Sequence, residues 1–247
     1  MEILKKTIEG IEKINRENMV RKEKELNSLL KTPRGLGKME DLAIQLEGIK
    51  ENYIPDKKIV LVMAADNGVE AEKVSASKRV ITQYVVEAML SGNSSVNSLA
   101  VSFGADVKVV DLGIDSEKDF FGIINRKIMK NGTRNIRRES AMTREEAVKA
   151  IETGIEIVDE LAEKGYNLFA LGEMGIGNTT TSSAVLNVLT DIPLEEIVGR
   201  GSGINDQTLE HKKNVVKESI KINDPDKTDP LDVLAKVGGL DIAAMTG

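Results

Sequence analysis

The chain has 247 residues, 34 Lys+Arg against 40 Asp+Glu, a formal net charge of −6, a single histidine, and neither cysteine nor tryptophan. Without cysteine there is no disulfide framework, no iron–sulfur ligation and no thiol nucleophile; with only His211 there is no multi-histidine metal site and no ready Ser-His-Asp triad. Mild acidity and few aromatic residues argue against an extended nucleic-acid surface, so no nucleic-acid partner is expected.

Residues 1–30 are charged throughout and show no apolar signal core. No window reaches the ~18–20 apolar residues of a membrane helix, so the expectation is a cytoplasmic protein with no membrane partner. Leu4, Ile8, Ile11 and Ile14 recur near a helical period, and a second helical stretch ends at Leu26, Leu29 and Leu30. Pro33, Gly35 and Gly37 interrupt the pattern, and a helix over 38–50 follows. Together these predict a small helical subdomain at 1–50, ahead of an α/β part at 51–247.

Residues 57–65 (KKIVLVMAA) form an apolar run suited to a strand buried on both faces, closed by the turn Asp66-Asn67-Gly68. A helix is predicted over 78–103, a strand over 106–113, and an irregular segment over 115–142. Thr143-Arg144-Glu145-Glu146 reads as a capping box opening a helix that runs to Lys164 and stops at Gly165. A strand over 167–171, a helix over 179–189 and another over 206–222 complete the series, each helix preceded by a glycine loop. The alternation predicts α/β, with a mostly parallel sheet and flanking helices.

The segment Gly172-Glu173-Met174-Gly175-Ile176-Gly177-Asn178-Thr179-Thr180 leaves a predicted strand and opens a helix. Open α/β sheets hold ligands at that place, and free N–H groups at a helix start bind phosphate. A tight turn without ligand is the alternative. It is no Walker A loop, since no Lys-Ser/Thr follows, and Thr180 stands where a dinucleotide fingerprint needs its third glycine. A nicotinamide-cofactor oxidoreductase is therefore the weakest reading. Gly199-Arg200-Gly201-Ser202-Gly203 is a second glycine loop, with Lys212 and Lys213 about two turns into the helix beyond it. Glu173 and Asp66 sit at strand ends as candidate carboxylates, and Ser75 and Ser77 as candidate caps. His211 and the cluster Arg134, Arg137 and Arg138 read as solvated surface. Met63 and Met89 read as core, and Met174 as a residue able to pack against a ring.

Several segments resemble one family in the same order along the chain. KTPRGLGKMEDLA at 31–43 is similar to its KPPGSLGRLEDLA, DNGV at 66–69 to its D-H-G-[VI], and Val74-Ser75 to its V-S. GEMGIGNTT at 172–180, VGRGSG at 198–203 and GGLDIAAM at 238–245 match outright. The family is nicotinate-nucleotide:dimethylbenzimidazole phosphoribosyltransferase, which builds the lower-ligand nucleotide of cobalamin.

The resemblance implies a three-layer Rossmann-like fold, a homodimer, and a reaction that needs neither metal nor cofactor. Ribose 5-phosphate would move from nicotinate mononucleotide to 5,6-dimethylbenzimidazole or a related base, with inversion at the anomeric carbon. The backbone of Met174, Gly175, Ile176, Gly177, Asn178 and Thr179, with Gly201, Ser202, Gly203 and Lys212, would hold phosphate and ribose. Glu173 would stand at the ribose end, its catalytic role only that of a conjectured substitute for the family's own base, and Asp66, Ser75, Ser77 and Gln83 would form the base pocket. Three positions depart from the pattern: Asn67 where His is usual, Lys78-Arg79 for a proline-containing pair, and Val85 for a pocket glutamine. The family's general base lies in an R-L-G-E-G-T-G segment beyond the GGLDIAAM motif, and that segment is missing here. The expectation is a fragment or short homologue with little turnover; a binding module that holds the nucleotide without reacting it is the alternative.

Overall fold

The computed structural model describes all 247 residues and divides them into two units, Lys5–Asp56 and Met1–Leu4 with Lys57–Gly247. The first helix, α1 (Glu2–Glu9), stops well short of Ile14. Gly10 turns its N–H back onto the carbonyls of Lys6 and Thr7, and Asn15 then caps α2 (Arg16–Ser28) by accepting from the N–H groups of Glu17 and Asn18. Beyond Gly10 only Ile11 N–H reaches back, to the Ile8 carbonyl at 3.3 Å, and the helix goes no further. In the smaller unit α2 packs against α3 (Lys38–Ile49). The turn at 31–40 closes on the buried Glu40 carboxylate, which accepts from Lys31 Nζ and from Leu36 N–H, both at 3.0 Å.

In the larger unit the apolar run after Lys57 is the strand β1 (Lys58–Ala65). The chain continues through α4 (Ile81–Leu90), α5 (Ser95–Ser102), β2 (Ala105–Gly113) and the two-residue β3 (Ile124–Asn125). Then come α6 (Arg144–Glu163), β4 (Leu168–Met174), α7 (Asn178–Thr190), the single turn α8 (Leu194–Ile197), α9 (Asp206–Asn223), α10 (Pro230–Val237) and α11 (Leu240–Thr246). The sheet order is β3-β2-β1-β4, all parallel, so β1 is central.

Alternation along β1 sends side chains to two cores. Ile59, Leu61, Met63 and Ala65 pack with residues of α6, α7, α9, α10 and α11. Val62 and Ala64 pack with Val86 of α4 and Val109 of β2. The sheet thus lies between helices on both faces, the three-layer α/β architecture predicted. Each large apolar side chain enclosed this way contributes about 1.5–3 kcal/mol. No helix is long and apolar enough to cross a membrane.

Three local expectations are corrected. The helix predicted over 78–103 is two helices, because Gly92 turns out at φ +79° and Ser94 caps α5 by accepting from Asn97 N–H. Neither Ser75 nor Ser77 caps a helix: α4 starts after Val80, and Ser75 Oγ accepts from Ser77 N–H in a local turn. β4 continues to Met174, so Gly172 and Glu173 are strand residues. The capping box forms in full, with Glu146 N–H donating to Thr143 Oγ1 at 3.1 Å and Thr143 N–H to Glu146 Oε2 at 2.7 Å.

Candidate functional site

Parallel pairing brings the carboxyl ends of β1, β2 and β4 to one edge of the sheet. The turn 175–177 leaves β4 there and passes close to the end of β1. A Cβ on Gly175 would lie 1.8 Å from the Ala65 carbonyl oxygen, so no side chain fits. Gly177 has φ +98°, and α7 starts directly after it. Asn178 N–H donates back to the Gly175 carbonyl at 3.1 Å, and Ile176 N–H donates to Thr82 Oγ1 at 3.1 Å.

The start of α7 faces the second glycine loop across a pocket of ≈ 100 Å³. Ile176, Gly177, Asn178, Thr179 and Thr180 form one wall; Arg200, Gly201, Ser202 and Lys212 form another; Val74 and Ser75 close it. Lys212 is 1% exposed, and Nζ donates to Thr179 Oγ1 at 2.7 Å and to the Gly199 carbonyl at 3.2 Å. No carboxylate pairs with it, and burial pushes its pKa down to about 8. A cation without a counter-charge at the positive end of a helix is a place for an anion. Thr180 Oγ1, on the same wall, is buried with no hydrogen-bond partner. The site is thus short of one acceptor and one negative charge, which a phosphate monoester supplies.

Two carboxylates lie close by in different states. Glu173 is exposed at the end of β4 and accepts from Asn178 Nδ2. Asp241, in the first turn of α11, is fully buried; Oδ1 accepts from Ile242 N–H at 3.0 Å and Oδ2 has no partner. Burial, with the nearby Glu173 charge adding to it, raises the Asp241 pKa to about 7. No cluster of His, Asp or Glu is arranged to hold a metal ion.

Of the residues singled out from the sequence, Ser75, Ile176, Gly177, Asn178, Thr179, Gly201, Ser202 and Lys212 line this one pocket. Gly175 supports it from behind, and the Met174 side chain packs against the core of Val62 and Val86. Gly203, at φ +103°, turns the loop without lining the pocket. Asp66 is a correction: it is 1% exposed and enclosed by Thr82 and the Asp115 N–H, an internal brace and not a pocket wall. Ser77 lies outside the pocket, as does Gln83, whose Oε1 accepts from Ser116 Oγ. His211 is also corrected, since its Nε2 is 2.7 Å from the Glu72 carbonyl oxygen and ties α9 to the 68–72 turn. The basic cluster is no open charged face either. Arg134 pairs with Glu146, and Arg137 with Glu72 and Glu218. Thr180, whose hydroxyl the sequence offers at the head of the helix, is on the pocket wall as well. Arg200 and Asp241 are the residues the sequence reading misses, Arg200 because it stands inside a motif read as a glycine turn.

A family model described as phosphoribosyltransferase matches residues 11–247. The nicotinate-nucleotide–dimethylbenzimidazole phosphoribosyltransferase of Acetivibrio thermocellus is 47% identical over 99% of this chain and 70% of its own length. Its counterpart from Ruminiclostridium cellulolyticum is 50% identical over 97% of this chain and 68% of its own. The crystal structure of CobT from Thermus thermophilus superposes with a TM-score of 0.87 at 34% identity, covering 93% of this chain and 69% of that one. Likeness of that extent, running through both glycine loops and the sheet beneath them, means that the chain belongs to the nicotinate-nucleotide–dimethylbenzimidazole phosphoribosyltransferase family.

Proposed function

We propose that the protein transfers ribose 5-phosphate from nicotinate mononucleotide to 5,6-dimethylbenzimidazole or a related base. The reaction releases nicotinate and forms the α-ribazole 5′-phosphate nucleotide. The observation that carries this reading is Lys212, a buried cation with no counter-charge, set between two glycine loops in a chain of this family. Phosphate takes the place between the start of α7 and Gly201, with Lys212 Nζ and the orphaned Thr180 hydroxyl as its side-chain partners. The ribose then lies toward Glu173. The C1′–pyridinium bond breaks and its electron pair returns to the nicotinate nitrogen, so the leaving group needs no acid. A benzimidazole nitrogen forms the new bond, and its N–H proton must pass to a carboxylate; Glu173 is our candidate among the residues at the pocket.

Ser75, Ser77 and Gln83 are the candidates for contacting the base. No metal or cofactor has a part in this scheme. A homodimer and a cytoplasmic location go with the reading, carried by the resemblance and by composition alone. We also propose the division into a helical subdomain at 1–50 and a nucleotide-binding part at 51–247, which limited proteolysis tests. The breadth of the match supports a transferase over a binding module that has lost its chemistry. Incubation with nicotinate mononucleotide and dimethylbenzimidazole, following nicotinate release, decides between them. Calorimetric binding of the nucleotide without release would favour the module, and no binding would reject both.

A further inference from the structure

A buried relay fixes the turn at the head of the pocket. It starts at Asp66, immediately after β1. Asp66 Oδ1 accepts from Thr82 Oγ1 at 2.6 Å, and Oδ2 accepts from Asp115 N–H at 2.8 Å. Thr82 is fully buried in the first turn of α4. A hydroxyl has one proton, and here it goes to the carboxylate, so the oxygen can only accept from Ile176 N–H at 3.1 Å. Carboxylate, hydroxyl and peptide N–H therefore run in one sense.

A trans peptide sends its N–H and C=O in opposite directions. With Ile176 N–H turned to the interior, the Gly175 carbonyl points the other way and accepts from Asn178 N–H, which opens α7. The Gly177 backbone, next along, lines the pocket. Ile176 N–H is committed to the protein and not available to a ligand.

We propose that Asp66 is a positioning residue for the phosphate-binding turn, acting through Thr82 to hold the Ile176 peptide so that the Gly177 backbone is presented to the anion. This rests on the nucleotide reading given above for the same pocket. Burial raises the Asp66 pKa to about 6. The charged groups facing it are Arg79, which favours the carboxylate, and Asp115, which opposes it. As pH falls through about 6 the carboxyl gains a proton and no longer accepts at both oxygens. The Thr82 hydroxyl then loses its fixed direction, and the bond from Ile176 N–H weakens.

The test follows the Ile176 amide of the nitrogen-15-labelled full chain by NMR as pH is varied across the range around 6. Its shift is expected to titrate with a midpoint near 6 in the wild type and in Thr82→Ser. It is expected to lose that response in Asp66→Asn and in Thr82→Val. In parallel, calorimetry with nicotinate mononucleotide should give a Kd weaker by about fivefold to tenfold in Thr82→Val, the loss of one net hydrogen bond, and within about twofold of wild type in Thr82→Ser. An Ile176 amide indifferent to pH near 6, or unchanged in Asp66→Asn, overturns the relay. So does a Thr82→Val protein that binds the nucleotide as tightly as a binding-competent wild type. If the amide titrates as expected but the wild type binds no nucleotide, the relay stands as the device that sets the turn and the nucleotide reading falls.

Discussion

The two glycine loops that face each other across the pocket are built on opposite principles. At 175–177 the backbone is pressed against the end of β1 and against Asn67, and glycine is there because nothing larger fits. At 199–203 the two outer glycines have open space, with nothing within 4 Å of a Cβ added at Gly199 or Gly203, and only the middle one is close-packed, a Cβ at Gly201 lying 3.2 Å from Thr179 Oγ1. One loop is a fixed wall made of packed backbone. The other is a strap tied near its start, by Lys212 holding the Gly199 carbonyl and by Arg200, which pairs with Asp206 and whose carbonyl accepts from Gly203 N–H at 3.0 Å. One wall is thus fixed by packed backbone, the other by hydrogen bonds and an ion pair.

Substitutions separate the two sides. Gly175→Val should have the largest effect, because the new side chain meets the Ala65 carbonyl at 1.8 Å from its first carbon. We expect a loss of about 3 kcal/mol or more in denaturant unfolding, and no measurable nucleotide binding. Lys212→Met should come next in binding, weakening the nucleotide by roughly 100-fold, as expected for a charge-assisted contact, while leaving the fold intact. Its pH behaviour sharpens the point. The Lys212 pKa in the fold, about 8, lies below the ordinary value of 10.5, so between them the unfolded chain holds the extra proton. Wild-type stability should therefore rise as pH climbs through that window while affinity for phosphate falls, and Lys212→Met should flatten both trends. Gly203→Ala, at φ +103°, should cost about 1 kcal/mol with binding nearly unchanged. Gly199→Ala should change neither unfolding nor calorimetric affinity beyond about 0.5 kcal/mol. A Gly199→Ala protein as damaged as Gly175→Val would show that the strap is no strap.

What could be read in advance follows the same division. The turn at 172–180 was legible because its chemistry is local: glycines, a strand before them and a helix after. Lys212 was legible from its spacing after the second loop. Asp66 was identified as a strand-end carboxylate but placed in the wrong role, since its partners Thr82 and Asp115 come from other elements and only the folded sheet edge brings them together. His211 looked solvated for the same reason; its acceptor is a backbone carbonyl 139 residues away. Sequence pattern announces a buried strand such as β1, but it does not say which polar neighbour waits at the strand's end. The break at Gly92 was missed because an apolar period on both sides outweighed a single glycine and a serine cap.

The condition of Lys212 also has a bearing on reactivity. An amine with a pKa of about 8 is half neutral in mildly alkaline buffer, where lysines of ordinary basicity are almost wholly protonated. It lines the pocket we propose for phosphate, so on that reading an aldehyde carrying a phosphate group would be drawn to it and held beside its nitrogen. Under limiting reagent, pyridoxal phosphate followed by borohydride should mark this lysine ahead of the others, and bound nucleotide should protect it.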